Sequence, residues 1–174
     1  PARSLAHRIS DLKNELIDPD TYAQQAGSDA TADGWRERAL AGGGLADAGA
    51  IQFDAVLADV YRRYQARLAQ ANALDFDDII ATTVHLLQAF PAVAEHYRRR
   101  FRHVLVDEYQ DTNHAQYVLV RELAGASRDA VEQDDAAGLD PAELTVVGDA
   151  DQSIYAFRGA TIRNIVEFEK DYPQ

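Results

Sequence analysis

The chain contains no cysteine and no methionine, a single tryptophan and only five prolines in 174 residues. Without cysteine there is neither a disulfide framework nor a thiolate metal site. Positive charge is also short, with 17 Lys and Arg against 29 Asp and Glu and a formal net charge of -12. No general basic field can therefore coat the surface, and any nucleic-acid contact has to be local. Apolar runs extend only a few residues, too short for a membrane span, and the first residues lack a signal-peptide pattern. A cytoplasmic protein without membrane contact is the expectation. The lack of methionine, together with a start at Pro1-Ala2-Arg3 inside a helical pattern, reads as an excised piece of a longer protein.

What is present is globular in composition, with 47% apolar and 26% charged residues. Leu5, Ile9, Leu12 and Leu16 make the stripe of an amphipathic helix that Asp18-Pro19 should stop. A second short helix is expected from Asp20, carrying Tyr22 and Ala23. Trp35 to Leu40 predicts one or two turns. The glycines Gly42, Gly43 and Gly44 then read as a linker, because no Gly-Lys-Ser or Gly-Lys-Thr follows to make a phosphate loop. Between Ile51 and Leu68, Phe53, Val56, Leu57, Val60, Tyr61 and Tyr64 give the strongest helical period and predict a core-forming helix. Asn72 to Leu74 interrupts it, and Asp75 can cap a helix with Phe76, Ile79, Ile80, Val84 and Leu87 on one side. Pro91 can open a further helix that runs into Arg98-Arg99-Arg100. Those arginines read as a solvated helix end favoured by the macrodipole, or as a contact to DNA phosphates.

The stretch HVLVDEYQD, His103 to Asp111, predicts a buried strand ending in two carboxylates, Asp107 and Glu108. Asp111-Thr112-Asn113 supplies caps for a helix carrying Gln116, Tyr117, Val120 and Leu123, which Gly125 can close. A second apolar run, Leu144 to Val147, ends in Gly148-Asp149 and completes a βαβ unit. Ser127 to Glu143, with six acidic residues against Arg128, reads as a solvent-exposed insertion. Helical spacing returns at Ile162, Ile165, Val166 and Glu169.

Parallel strands in one βαβ unit end at the same edge, so Asp107, Glu108 and Asp149 are expected near one another, with Asp111 and Asp151 close behind. Gathered carboxylates repel unless a cation offsets them, and Mg²⁺ suits such oxygen ligands. The alternative for Asp107 is a helix cap or a partner for an arginine. In DADQSIYAFRGA, Asp149 to Ala160, the amide of Gln152 can report a terminal phosphate. Tyr155 and Phe157 are flat faces on which bases can stack, or core residues beneath a loop. Arg158 adds a cation where a nucleic-acid backbone would pass.

LDFDDI (Leu74 to Ile79), VDEYQDTN (Val106 to Asn113) and VVGDADQSIYAFRGA (Val146 to Ala160) together resemble the UvrD/PcrA/Rep family of superfamily 1A DNA helicases. That resemblance covers the whole chain. It implies a mainly α fold with a small parallel β-sheet, an incomplete piece of a P-loop NTPase (RecA-like) α/β domain with a helical insertion. Residues 1–72 would be similar to subdomain 1B, and 73–174 to the later part of ATPase subdomain 1A, with Walker B and motif III. It implies that Asp107, with Glu108, holds Mg²⁺, and that Glu108 is the general base for ATP hydrolysis. Gln110 and Asp111 would link nucleotide state to neighbouring loops, and Gln152 would sense the γ-phosphate. Tyr155 and Phe157 would stack on single-stranded DNA, with Arg158 coupling the two sites.

Two departures stand out: Phe157 where many relatives have Trp, and an acidic insertion longer than the family's. The family's phosphate loop, its adenine-binding glutamine motif and its second motor domain do not appear in this chain. The expectation is therefore that the chain alone neither hydrolyses ATP nor unwinds DNA, and that its partners are DNA and the remaining helicase domains. Exposed sheet edges would favour self-association. The resemblance further implies 3′ to 5′ translocation and a DNA-repair role. Two other readings remain open, a metal-dependent nuclease or phosphohydrolase and a non-catalytic DNA- or protein-binding module.

Overall fold

A computed structural model describes residues 2–25, 45–125 and 142–149. The chain divides into two compact units, Pro1–Asp77 and Asp78–Gln174. In the first, helices α1 (Ala2–Asn14), α2 (Pro19–Gln25) and α3 (Leu45–Gln70) pack around Ile9, Leu12, Tyr22, Leu57 and Tyr61. Spacings of three and four residues put Ile9 with Leu12, and Leu57 with Tyr61, on single helix faces, so the core is built from the stripes the sequence carries.

Leu16 departs from its expected place. Helix α1 ends at Asn14, and Leu16 adopts a left-handed backbone, φ 57°. Its amide donates to the Lys13 carbonyl and that of Ile17 to the Leu12 carbonyl, a Schellman closure in which Leu takes the position glycine usually holds. Asp18 then caps α2: its carboxylate accepts from the amides of Asp20 and Thr21, while Pro19 occupies the first turn. Helix α3 starts six residues before Ile51, at Leu45, and closes in a second Schellman turn at Asn72, φ 49°. Its period is correct but its burial is narrower than expected, because Phe53, Val56 and Tyr64 are exposed and α1 and α2 cover only the Leu57–Tyr61 face.

Helix α4 (Phe76–Ala89) leads into the second unit. The face expected to be buried is shifted there: Asp78, Ala81, Val84 and Leu87 are buried, whereas Phe76 is 89% and Ile79 52% exposed. Successive steps of three residues define that face and leave Ile79 beside it. Pro91 opens α5 (Pro91–Arg100), which runs to the expected arginines. Arg98 donates to the backbone carbonyl of Glu122 at 2.8 Å and pairs with its carboxylate at 3.2 Å. Arg99 pairs with Glu95, and the Arg100 guanidinium lies 5.9 Å from the Phe101 ring centroid.

Strand β1 (His103–Val106) is followed by a 3₁₀ turn, Tyr109–Asp111, by α6 (His114–Ala124), and by β2 (Glu143–Val146). The strands pair in parallel, with Val104 opposite Leu144 and Val106 opposite Val146, giving the expected βαβ unit. Glu143, assigned to the insertion by sequence, is instead the first residue of β2 and pairs with His103. Strand β1 is not buried as expected, since Leu105 is 71% exposed. Its side chains alternate between faces, and α6 packs on one of them, so Val104 and Val106 are half-buried while Leu105 has no cover among the described residues. Trp35 to Leu40, Gly42 to Gly44, the insertion from Ser127 to Pro141 and the helical spacing at Ile162 to Glu169 lie outside the described residues.

Candidate functional site

The site is the carboxyl edge of the two strands. After Val106 the chain leaves the sheet through Asp107 and Glu108, both exposed. Glu108 takes a left-handed backbone, φ 50° and ψ 44°, which a residue other than glycine rarely adopts without support. Support is present on both sides. Its own amide donates to Asp107 Oδ1 at 2.9 Å, and its carbonyl accepts from the Asp111 amide at 2.9 Å to start the 3₁₀ turn. Strained backbone held in this way is a recurrent feature of functional sites.

The edge is joined to β2 by main chain and side chain. Val147 N–H donates to the Val106 carbonyl at 2.8 Å, and Tyr109 N–H to the Val147 carbonyl at 2.9 Å. Gln110, only 2% exposed, accepts from the Asp149 amide at 2.9 Å through Oε1 and donates to the Glu108 carboxylate at 2.7 Å through Nε2. The Asp149 main chain is thus linked to the Glu108 carboxylate through the one Gln110 amide. Gly148 makes room for it, for a Cβ at Gly148 would stand 2.5 Å from Gln110 Oε1.

Beyond the turn, Thr112 Oγ donates to the Tyr109 carbonyl at 2.7 Å. Asn113 caps α6 in a reciprocal capping box with Gln116. Gly125 closes the helix at φ 87°, so the expected start and stop of α6 both hold. Asp111 Oδ1 is buried and has no hydrogen-bond partner among the described residues.

Chemically, Asp107 and Glu108 offer exposed, hard oxygen donors of the kind that fit Mg²⁺, which binds through one or two carboxylates and retains waters for the rest of its shell. No group of three His, Asp or Glu side chains arranged to hold a metal occurs among the described residues. Gln152, Tyr155, Phe157 and Arg158, with Asp151, lie outside the described residues. Sequence reasoning missed Gly148 and the buried Tyr109. The only signal for Gly148 was its place directly before a strand-end carboxylate. No described helix is long and apolar enough to cross a membrane.

Residues 1–173 match the family model described as the UvrD/REP helicase N-terminal domain. The ATP-dependent DNA helicase UvrD1 of Mycobacterium tuberculosis is 60% identical over 171 residues, covering 98% of this chain and 19% of that protein. The ATP-dependent DNA helicase PcrA of Bacillus subtilis is 42% identical over 171 residues, covering 98% of this chain and 18% of that protein. PcrA of Staphylococcus aureus is 42% identical over 166 residues. The chain thus spans about a fifth of the length of the curated relatives it matches.

Proposed function

Because the chain belongs to the UvrD/REP helicase family, we propose that it forms one wall of the ATP site and part of the DNA track of a longer ATP-dependent DNA helicase. The observation that carries this reading is the Asp107–Glu108 pair at the carboxyl end of β1, tied through Gln110 to Asp149 at the end of the parallel β2. Residues 1–72 then correspond to subdomain 1B. Residues 73–174 correspond to the later part of subdomain 1A, an incomplete RecA-like P-loop domain placed inside the longer chain.

In this reading Asp107, with Glu108, holds Mg²⁺, which when bound neutralises charge on the ATP phosphates. Glu108 accepts the proton of the attacking water. Gln110 and Asp111 link the nucleotide state to adjoining loops, and Gln152 reads the terminal phosphate. Tyr155 and Phe157 stack on bases of single-stranded DNA, and Arg158 couples that contact to the ATP site. These last four assignments rest on the motif. A cytoplasmic location, 3′ to 5′ translocation and a role in DNA repair belong to the same proposal.

Phosphoryl transfer depends on positioning and charge neutralisation, so the chain alone, without a phosphate loop, neither hydrolyses ATP nor unwinds DNA. Calorimetry of the chain with Mg-ATP should show no binding, and micromolar binding with turnover would overturn that statement. In the full-length protein, Glu108→Gln should bind Mg-ATP and fail to hydrolyse it. Undiminished hydrolysis would remove the base from Glu108. The nuclease reading would leave Gln152, Tyr155 and Phe157 without a role, and divalent-dependent cleavage of DNA by the chain would favour it.

A further inference from the structure

We infer that Gln110 is a positioning residue for Glu108, holding its carboxylate at an angle set by the main chain at Asp149, and that Gly148 is required for it. This inference rests on the proposal that Glu108 is the general base, and goes beyond it by assigning what aims that base.

The orientation of the Gln110 amide is fixed by chemistry. A backbone N–H can only donate, so the atom 2.9 Å from Asp149 N is the oxygen. A carboxylate only accepts, so the atom 2.7 Å from Glu108 Oε2 is the nitrogen. Neither end can be exchanged without losing both bonds. Gln110 is 2% exposed, and these two of its partners stand 39 residues on and two residues back in the chain.

Glu108 needs such a hold. Its left-handed backbone turns it out of the strand direction, and the side chain is otherwise exposed to solvent at the sheet edge. A flexible carboxylate would spend much of its time away from a productive angle, and proton abstraction is sensitive to that angle. The anchor is main chain at the start of the segment that carries Gln152, Tyr155 and Phe157. Displacement of Asp149 therefore moves the Glu108 carboxylate through one rigid amide. Gly148 completes the device, because any Cβ there would lie 2.5 Å from Gln110 Oε1 and push the amide off Asp149.

The test uses the full-length protein and DNA-stimulated ATP hydrolysis, with Glu108→Gln as control. Gln110→Ala removes both bonds. Gln110→Glu keeps an acceptor for Asp149 N–H but sets a second carboxylate against Glu108. Both should lower kcat by about 10- to 100-fold with KM for ATP changed by less than about threefold, the pattern of a lost transition-state contribution. Gly148→Ala should lower kcat similarly, and the Gly148→Ala/Gln110→Ala double variant should fall little below Gln110→Ala alone. Binding of a fluorescent ATP analogue, measured on each variant, distinguishes a misdirected base from an unfolded protein. Wild-type kcat in Gln110→Ala and Gln110→Glu, alongside an inactive Glu108→Gln, would overturn the inference. So would a raised KM at unchanged kcat, which would make Gln110 a nucleotide contact. An active Glu108→Gln would instead remove the base assignment, a failure readable by itself.

Discussion

The ammonium of Lys13 meets the carboxylate of Asp75 at 2.6 Å, 62 residues away in sequence, with the Lys13 side chain 2% exposed and that of Asp75 23% exposed. The Tyr64 hydroxyl donates to the same carboxylate oxygen at 2.8 Å, and the ammonium lies 4.9 Å from the Tyr64 ring centroid. This pair closes the first unit by fixing the start of α4 to α1. It stands beside an apolar cavity of about 380 Å³ lined by Leu5, Ile9, Val60 and Phe76.

The two halves of that pair should not be equivalent. Asp75→Asn leaves an enclosed ammonium with weaker compensation and should cost roughly 3 kcal/mol, at the lower end of the range for a broken buried pair. Lys13→Met leaves a carboxylate that reaches water and keeps Tyr64, and it should cost about 1 kcal/mol less. Urea unfolding followed by circular dichroism would measure both, and equal costs would contradict the asymmetry.

Asn72 ends α3 with φ 49° and is exposed, so its backbone rather than its packing decides what is tolerated. Asn72→Gly should be neutral or stabilising by a few tenths of a kcal/mol, whereas Asn72→Val should cost about 1–2 kcal/mol through the left-handed penalty. Melting temperatures of the two variants should move apart accordingly.

Tyr22 donates to Asp54 at 2.9 Å, and its phenol is pushed up to about 12, first by burial and then by the Asp54 carboxylate. The folded chain therefore holds this proton more tightly than the unfolded chain. Its contribution is constant below the ordinary tyrosine value of 10.0 and is lost as pH rises towards 12. Asp18 has the opposite sign: the Thr21 hydroxyl, followed by backbone amides, holds its carboxyl below 3.8, so its contribution is present above that value and lost as pH falls through the lowered one. Stability measured against pH should lose part of its alkaline limb in Tyr22→Phe and part of its acid limb in Asp18→Ala. An unchanged acid limb in Asp18→Ala would contradict the cap.

Phe157, in the full-length protein, should set the strength of base stacking. Phe157→Ala is expected to weaken single-stranded DNA binding by roughly 1–3 kcal/mol, and Phe157→Trp to strengthen it modestly through the larger ring. A fluorescence titration at fixed salt would give both values, and no change in either variant would remove Phe157 from the DNA track.

What was legible in the sequence was what is decided locally. The closure at Asn72, the cap at Asn113, the stop at Gly125 and the Leu57–Tyr61 stripe all depend on residues within a turn or two of one another. Periodicity also put Ile79 and Phe76 on an apolar face, but it cannot tell whether another element covers that face. Both are exposed among the described residues, as is Leu105 in a run that reads as a buried strand. At the site, the acids and the parallel ends were legible from two apolar runs with carboxylate ends. The left-handed turn at Glu108 was not, because no glycine or asparagine marks it. The contact from Gln110 to Asp149 was not either, since only the register of the two strands brings those residues together.

The clip between Gln110 and Asp149 also has a kinetic meaning. Helix α6 and its capping box involve only neighbouring residues, so they can form on the timescale of local structure. The clip must wait until the intervening chain has closed into a loop and the strands have found their register, which is entropically the slower event. Substitutions at Asn113 should then slow folding, whereas loss of the clip should mainly speed unfolding, and the two arms of a chevron plot would separate these effects. Among the described residues, the edge on which the proposed chemistry depends should thus order after α6 and open before it.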